Sequence, residues 1–179
     1  MRITLLSVGQ MAEADRAALG ELSSAVYPAD VAATWPGRAI EWSPRQWSVI
    51  VWDDDSTRAL AHAGLVIRHA RYNERDVTIG GVGGAMTHPA FRGQGFATAA
   101  LERCLDFFRE KGDVDFGLLV CEPNLISFYE RMGWRPFPGK MFVTQHGQRS
   151  RFTFDVPMTR AVARKDELSG EIDLLGPPW

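Results

Sequence analysis

Gly80-Gly81-Val82-Gly83-Gly84-Ala85-Met86-Thr87-His88-Pro89-Ala90-Phe91-Arg92-Gly93-Gln94-Gly95-Phe96-Ala97 is a glycine-rich strand running into a turn and then a helix. Val77 to Thr87 is rich in β-branched and small residues and follows the turn signal Asn73-Glu74-Arg75-Asp76, so it reads as a strand. Ala97, Ala100, Leu101, Cys104, Leu105 and Phe108 recur at helical spacing, with Glu102, Arg103, Asp106 and Arg109 on the opposite face. Between them, Arg92-Gly93-Gln94-Gly95-Phe96-Ala97 has the makings of an anion-binding turn. Its glycines let backbone approach a ligand, the helix start presents free N–H groups and the positive end of its dipole, and the arginine offers a fork for phosphate oxygens.

Working outward, Arg2 to Val8 predicts a first strand and Met11 to Val26 a helix. Tyr27 to Pro44 breaks the pattern with Pro28, Trp35-Pro36-Gly37 and Ser43-Pro44, a loop of the length that often carries function. Trp47 to Trp52 and Arg58 to Tyr72 predict two strands joined by the acidic turn Asp53-Asp54-Asp55-Ser56, and the Val77 strand completes an antiparallel meander. After the Ala97 helix, stopped at Lys111-Gly112-Asp113, Phe116 to Cys121 predicts a buried fifth strand. Leu125, Phe128, Tyr129 and Met132 share a face of a short helix ended by Gly133. Lys140 to Thr144 and Arg151 to Val156 predict a closing hairpin around Gly147, leaving Pro157 to Trp179 as a tail.

The chain of 179 residues, 45% hydrophobic, fits a single domain over 1–179, with a core over about 2–156. With a net charge of −2 and both signs interspersed, no basic stripe points to nucleic acid. Cys104 and Cys121 fall on an apolar helix face and in a strand, as reduced buried thiols do, and no metal-ligand spacing is present. Ile3 to Val8 is too short for a signal segment and no apolar run reaches membrane-spanning length, so no membrane partner and a cytoplasmic location are expected.

The turn resembles the central (Arg or Gln)-x-x-Gly-x-(Gly or Ala) motif of the GCN5-related N-acetyltransferase (GNAT) superfamily, matched at Arg92, Gly95 and Ala97. Ser127-Phe128-Tyr129-Glu130-Arg131-Met132-Gly133-Trp134 resembles the same family's downstream aromatic segment. The resemblance covers roughly Arg2 to Val156. It implies an α/β fold with a mixed, mostly antiparallel central sheet, splayed at the fourth and fifth strands and flanked by helices. It also implies acetyl-CoA as cosubstrate with no metal, a small-molecule amine as acceptor, direct attack of that amine on the thioester, and a fold family that often forms homodimers.

On the resemblance, Arg92, Gly93, Gln94, Gly95, Phe96 and Ala97 hold the pyrophosphate, and the backbone at Ala85, Met86 and Thr87 serves the pantetheine arm and the carbonyl oxygen. Tyr129 is the candidate general acid toward the departing thiolate. Many relatives carry a glutamate on the strand before the turn, but Val77 to Thr87 has no carboxylate, and Gly83 stands at the position concerned. Candidate bases are Glu122, His88, Glu41 and a terminal carboxylate on Trp179; a water relay is open as well. Glu122 also replaces an asparagine that many relatives have seven residues before the tyrosine.

A partial likeness to aminoglycoside 2′-N-acetyltransferases lies in Phe91-Arg92-Gly93-Gln94, in Gly133-Trp134-Arg135-Pro136 and in a tail ending in tryptophan. It implies an acidic acceptor field drawn from Asp30, Glu41, Asp53 to Asp55, Glu171 and Asp173. Two other readings stand beside the small-molecule acetyltransferase: a silent acyl-CoA sensor that uses the same turn without chemistry, and an acetyltransferase for peptide or protein amines.

Overall fold

The computed structural model describes residues 1–163 and 168–179. Its central element is a pair of long antiparallel strands, β3 (Ala59–Tyr72) and β4 (Arg75–Thr87). They are joined by a tight turn in which Asn73 and Glu74 both take positive φ, 47° and 66°, as a two-residue hairpin requires. β3 is long enough to serve two neighbours on its outer edge. Its first half pairs with β2 (Trp47–Trp52), which pairs with β1 (Arg2–Ser7), and its last two residues pair with a short strand close to the end of the chain.

On the inner side, β4 runs parallel to β5 (Phe116–Cys121) for four residue pairs, from Ile79 with Phe116 to Val82 with Leu119. Pairing then stops although both strands continue, so the sheet opens at its fourth and fifth strands as expected. The cause lies in β4. Gly84 takes φ +57° and the β3 register shifts between His62 and Gly64, a bulge that bends β4 away from β5.

α1 (Glu13–Val26), α3 (Phe96–Lys111) and α4 (Ile126–Glu130) cover the sheet. α3 packs on one face through Leu101, Cys104, Leu105 and Phe108, where Tyr129 and Trp134 join it. α1 packs on the other face through Leu19 and Leu22 against Ile50 and Trp52. Both cysteines are buried thiols without a disulfide.

Three expectations are corrected. The segment from Tyr27 to Pro44 is not bare loop: it holds α2 (Ala29–Thr34) and a turn of 3₁₀ helix over Pro36–Ala39. The closing hairpin forms one step earlier, β7 (Lys140–Gln145) with β8 (Gln148–Arg151), because His146 and Gly147 supply the positive φ angles of its turn. The core does not stop at Val156. β9 (Val156–Ala161) pairs along all six residues of β5 and also receives β6 (Arg135–Pro136), while β10 (Glu171–Asp173) lies between β3 and β7. Among the described residues, ten strands therefore form one mixed sheet. The tail reads poorly in sequence because its strands are short and each finds its partners far away in the chain.

The end of the chain explains two of the β4 glycines, Gly81 and Gly83. Trp179 is buried on the α1 face and its indole N–H donates to the Leu118 carbonyl at 3.2 Å. A Cβ on Gly81 would collide with the indole ring, and one on Gly83 would lie 2.6 Å from the Trp179 carbonyl carbon. A Cβ on Gly80 would meet Phe108 of α3 at 2.7 Å on the opposite face.

The bulge has its own brace. His62 is 2% exposed, with Nδ1 3.0 Å from the Gly84 carbonyl and Nε2 3.2 Å from the Ser48 hydroxyl, which accepts from Arg45 Nε at 2.9 Å. A carbonyl accepts only, so Nδ1 carries the proton, Ser48 donates to Nε2, and every group in the chain is satisfied. Burial pushes the His62 imidazole down to about 4.

Two predictions follow from this packing. Gly81→Ala will lower stability by about 1–3 kcal/mol and expose Trp179, read as a red shift of tryptophan fluorescence together with a lower chemical-denaturation midpoint. For His62, the unfolded chain binds a proton near pH 6.5 that the folded chain refuses until about pH 4. Its contribution is therefore present above pH 6.5 and lost as pH falls toward 4, a loss of about 3 kcal/mol that denaturation of His62→Gln will not display.

Candidate active site

The turn at the head of α3 has the geometry that its sequence asks for. Gly93 and Gly95 take φ +76° and +84°, and no atom lies within 4 Å of where their side chains would be. Gly95 caps α3, and its carbonyl accepts the first helical bond, from Ala99, at 3.0 Å. The N–H groups of the first turn are thus left for a ligand at the positive end of a 16-residue helix. Arg92 stands at the mouth with Nε 3.4 Å from the Thr87 carbonyl. Gln94, Phe96 and Ala97 complete the turn, and a turn of 3₁₀ helix over Pro89–Phe91 separates it from Ala85, Met86 and Thr87 at the end of β4.

Tyr129 is 7% exposed and lies on the α3 side among Cys104, Cys121 and Trp134. Burial, reinforced by Cys121 and Tyr27, raises its hydroxyl above the usual phenol range. The phenol is held in its protonated, donating form.

Glu122 ends β5 and is exposed beside the opening. Its charge is felt by three neighbours: it helps to raise Tyr27, Asp155 and Cys121, for each of which burial is the larger cause. Cys121 is pushed up to about 11. Tyr27 in turn feels Arg92, which acts to lower it. Tyr27 at the end of α1, Glu122 after β5, Arg92 at the turn and Tyr129 of α4 are thus electrostatic neighbours.

Sequence reasoning overlooked Tyr27 and Asp155. Tyr27 stands out only as an aromatic closing a helix, and Asp155 as one acid in a polar stretch.

The other base candidates are spread out. Glu41 accepts from the His146 backbone N–H at 3.0 Å and lies 3.7 Å from its ring, and His88 Nδ1 accepts from the Ala90 N–H at 3.2 Å while the ring stacks edge-on against Phe91. Trp179, by contrast, places its main-chain carbonyl carbon over Gly83, the position at which the family resemblance suggests a strand carboxylate. Its segment is tied down by three contacts. Arg68 donates to the Pro177 carbonyl at 2.5 Å, the Ser43 N–H donates to the Pro178 carbonyl at 2.6 Å, and the Arg68 guanidinium stacks on the Trp179 ring at 5.3 Å.

The carboxylates considered as a polyanionic acceptor field do not converge. Arg149 clamps both Glu171 and Asp173, at 2.6 and 2.5 Å. Asp53 accepts from the backbone of Thr57 and Arg58, and Asp30 lies exposed in the first turn of α2.

A cavity of about 360 Å3 lies between α1 and the end of β4, lined by Met11, Arg16, Leu19, Gly20, Ser23, Arg45 and Met86. Among the described residues, no group of three or more His, Cys, Asp or Glu side chains could hold a metal, and no helix is long and apolar enough to cross a membrane.

No curated protein matches the chain in sequence. Solved structures share its fold at low identity. A GNAT family N-acetyltransferase (YhbS) from Escherichia coli in complex with CoA is 14% identical with a TM-score of 0.64, covering 97% of this chain and 89% of that one. An acyl-CoA N-acyltransferase from Pseudomonas aeruginosa is 16% identical with a TM-score of 0.63, covering 89% and 99%. The ribosomal-protein-S18-alanine N-acetyltransferase from Escherichia coli is 15% identical with a TM-score of 0.55, covering 93% and 97%. The model of the acetyltransferase (GNAT) family matches residues 16–134, from α1 through the anion-binding turn to the glycine that ends the Tyr129 helix and the tryptophan after it. With most of its length matched and the splayed sheet, turn and tyrosine helix in place, the chain belongs to the GNAT family of acetyltransferases.

Proposed function

We propose that the protein transfers an acetyl group from acetyl-CoA to the primary amine of a small molecule by direct attack. The observation that carries this reading is the opening between β4 and β5, with Arg92 and the bare N–H groups of α3 at its head and Tyr129 at its side. The turn fits a pyrophosphate: positive-φ glycines leave it free of side chains, and the helix start offers N–H donors. Residues 85–87 are placed to meet the pantetheine arm and to donate to the thioester oxygen as charge develops there.

The amine approaches from the α1 face and must first lose a proton. Where Trp179 closes the chain, its carboxylate stands over Gly83 and takes that proton, doing the work of the missing strand carboxylate. The neutral nitrogen then attacks the carbonyl carbon and the C–S bond breaks. Tyr129 gives its proton to the leaving sulfur and is restored by the second proton released from the nitrogen. Products are the N-acetylated amine, the CoA thiol and one proton.

An aminoglycoside acceptor has the Trp179 terminus in its favour. Against it weigh the scattered carboxylates and the two arginines, Arg16 and Arg45, that line the acceptor-side cavity. The silent-sensor reading draws on the missing strand carboxylate, and a protein acceptor such as the ribosomal one named for the S18-alanine enzyme is the remaining enzyme alternative.

Thiol release from acetyl-CoA across an amine panel tests the transfer: binding of acetyl-CoA without amine-dependent release would leave only the sensor. Tyr129→Phe will lower kcat by about 100-fold or more with acetyl-CoA affinity retained, and wild-type turnover in this variant would remove the acid role. Because Tyr129 lies above the usual phenol range, kcat/KM will have no falling limb from it below about pH 10. A chain extended by Gly-Ser after Trp179 will lose at least about tenfold in kcat compared with one that closes there, and equal rates would assign the base elsewhere.

A further inference from the structure

The acceptor side of the site is electropositive where an enzyme for polycations would be acidic. Arg45 lays its aliphatic arm across Gly64, with Cδ 3.1 Å from where a Cβ would stand. Gly64 is paired in register with Gly83, over which the Trp179 main-chain carbonyl lies. The two glycines therefore form a bare floor, about one strand spacing or 4.8 Å across, with a guanidinium arm on one side and the chain end on the other.

Arg16, exposed on α1, lines the cavity that Arg45 also lines, where Met11, Leu19 and Met86 supply apolar walls and Ser23 a hydroxyl. Arg16 is spent in part on the carbonyls of Val8 and Met11, and Arg45 on Ser48 through Nε alone. Among the described residues, no carboxylate lies within ion-pairing distance of either guanidinium. Two like charges facing one small cavity repel, and the Arg45 guanidinium is held below its usual range first by burial and then by Arg16. An anion bound between them relieves both.

We propose that the amine acceptor carries an oxyanion of its own, a carboxylate or phosphate within a few bonds of the amine, which Arg45 and Arg16 hold in the cavity between α1 and β4. The inference rests on the transferase reading above. It narrows the acceptor to zwitterions of the amino-acid type, with an apolar side chain accommodated by Met11, Leu19 and Met86. It disfavours polycations, since these would meet two unneutralised arginines.

The test compares matched amines by thiol release from acetyl-CoA: L-phenylalanine with phenethylamine, L-methionine with 3-(methylthio)propylamine, and phosphoethanolamine with ethanolamine. Kanamycin serves as the polycation. The oxyanion-bearing member of at least one pair is expected to be preferred by about tenfold or more in kcat/KM, the effect of one charged hydrogen-bonded contact. The pair in which the preference appears tells carboxylate from phosphate.

Arg45→Gln should raise the acceptor KM and erase the preference with the KM for acetyl-CoA unchanged, and Arg45→Lys should restore part of it. Arg16→Gln, on the exposed side of α1, should weaken the preference without touching the Ser48 and His62 chain. Equal rates within every pair, faster turnover of kanamycin, or a preference that survives both glutamine variants would overturn the proposal. So would a loss confined to acetyl-CoA affinity, which would make the arginines ligands of the donor's phosphates.

Thermal shift separates this proposal from the transferase reading. If no amine is acetylated but the oxyanion-bearing amines still raise Tm in the wild type and not in Arg45→Gln, the anion subsite stands and the transfer reading fails. If they raise Tm in neither protein, the subsite fails.

Discussion

A strip of β4 without side chains is the constraint on which the rest of this molecule depends. Gly81 and Gly83 leave room on the α1 face for the indole and main chain of Trp179, Gly80 leaves room on the other face for Phe108, and Gly84 bends the strand out of line. A strand with so few side chains gives up packing and backbone entropy. Here the volume is returned by residues from the far end of the sequence and from α3. The outcome is a sheet in which β4 and β5 stay paired as far as Val82 and Leu119 and part beyond them.

Charge is divided along the same line. On the α3 side, buried thiols and a phenol held in its protonated form make a low-dielectric wall suited to giving up a proton late in the reaction. On the α1 side, the Arg45 arm and the Trp179 main chain flank the bare glycines Gly64 and Gly83. His62 is kept neutral on the α1 face, so that its one ring proton, on Nδ1, is donated to the Gly84 carbonyl.

What could be read in the sequence was what is local. The turn from Arg92 to Ala97 is legible because glycines that need positive φ must sit at fixed offsets before a helix, and Gly112 and Gly133 mark helix ends for the same reason. The meander was legible through its alternation and turn residues. The end of the chain was not, since a three-residue strand such as Glu171–Asp173 has no period of its own and takes its place from β3 and β7. The cavity arginines were equally hidden: Arg16 and Arg45 lie far apart in sequence and gain meaning only when α1 crosses Gly64 and the end of β4. Gly83 could be singled out as the place to look for a carboxylate, but that Trp179 reaches it is a property of the closed sheet.

The way in which β10 enters the sheet bears on how the molecule comes together. Tyr72 at the end of β3 has Ile172 as its partner, so the outer half of the longest hairpin keeps an unpaired edge until residues a hundred positions later arrive. Long-range closure of this kind is slow compared with hairpin formation, and an open strand edge invites pairing with another chain in the interval. The same delay means that the Gly64 and Gly83 floor acquires its far wall only in the last step of folding. Nascent molecules that have already formed the turn before α3 therefore pass through a stage in which Gly81 and Gly83 lie uncovered.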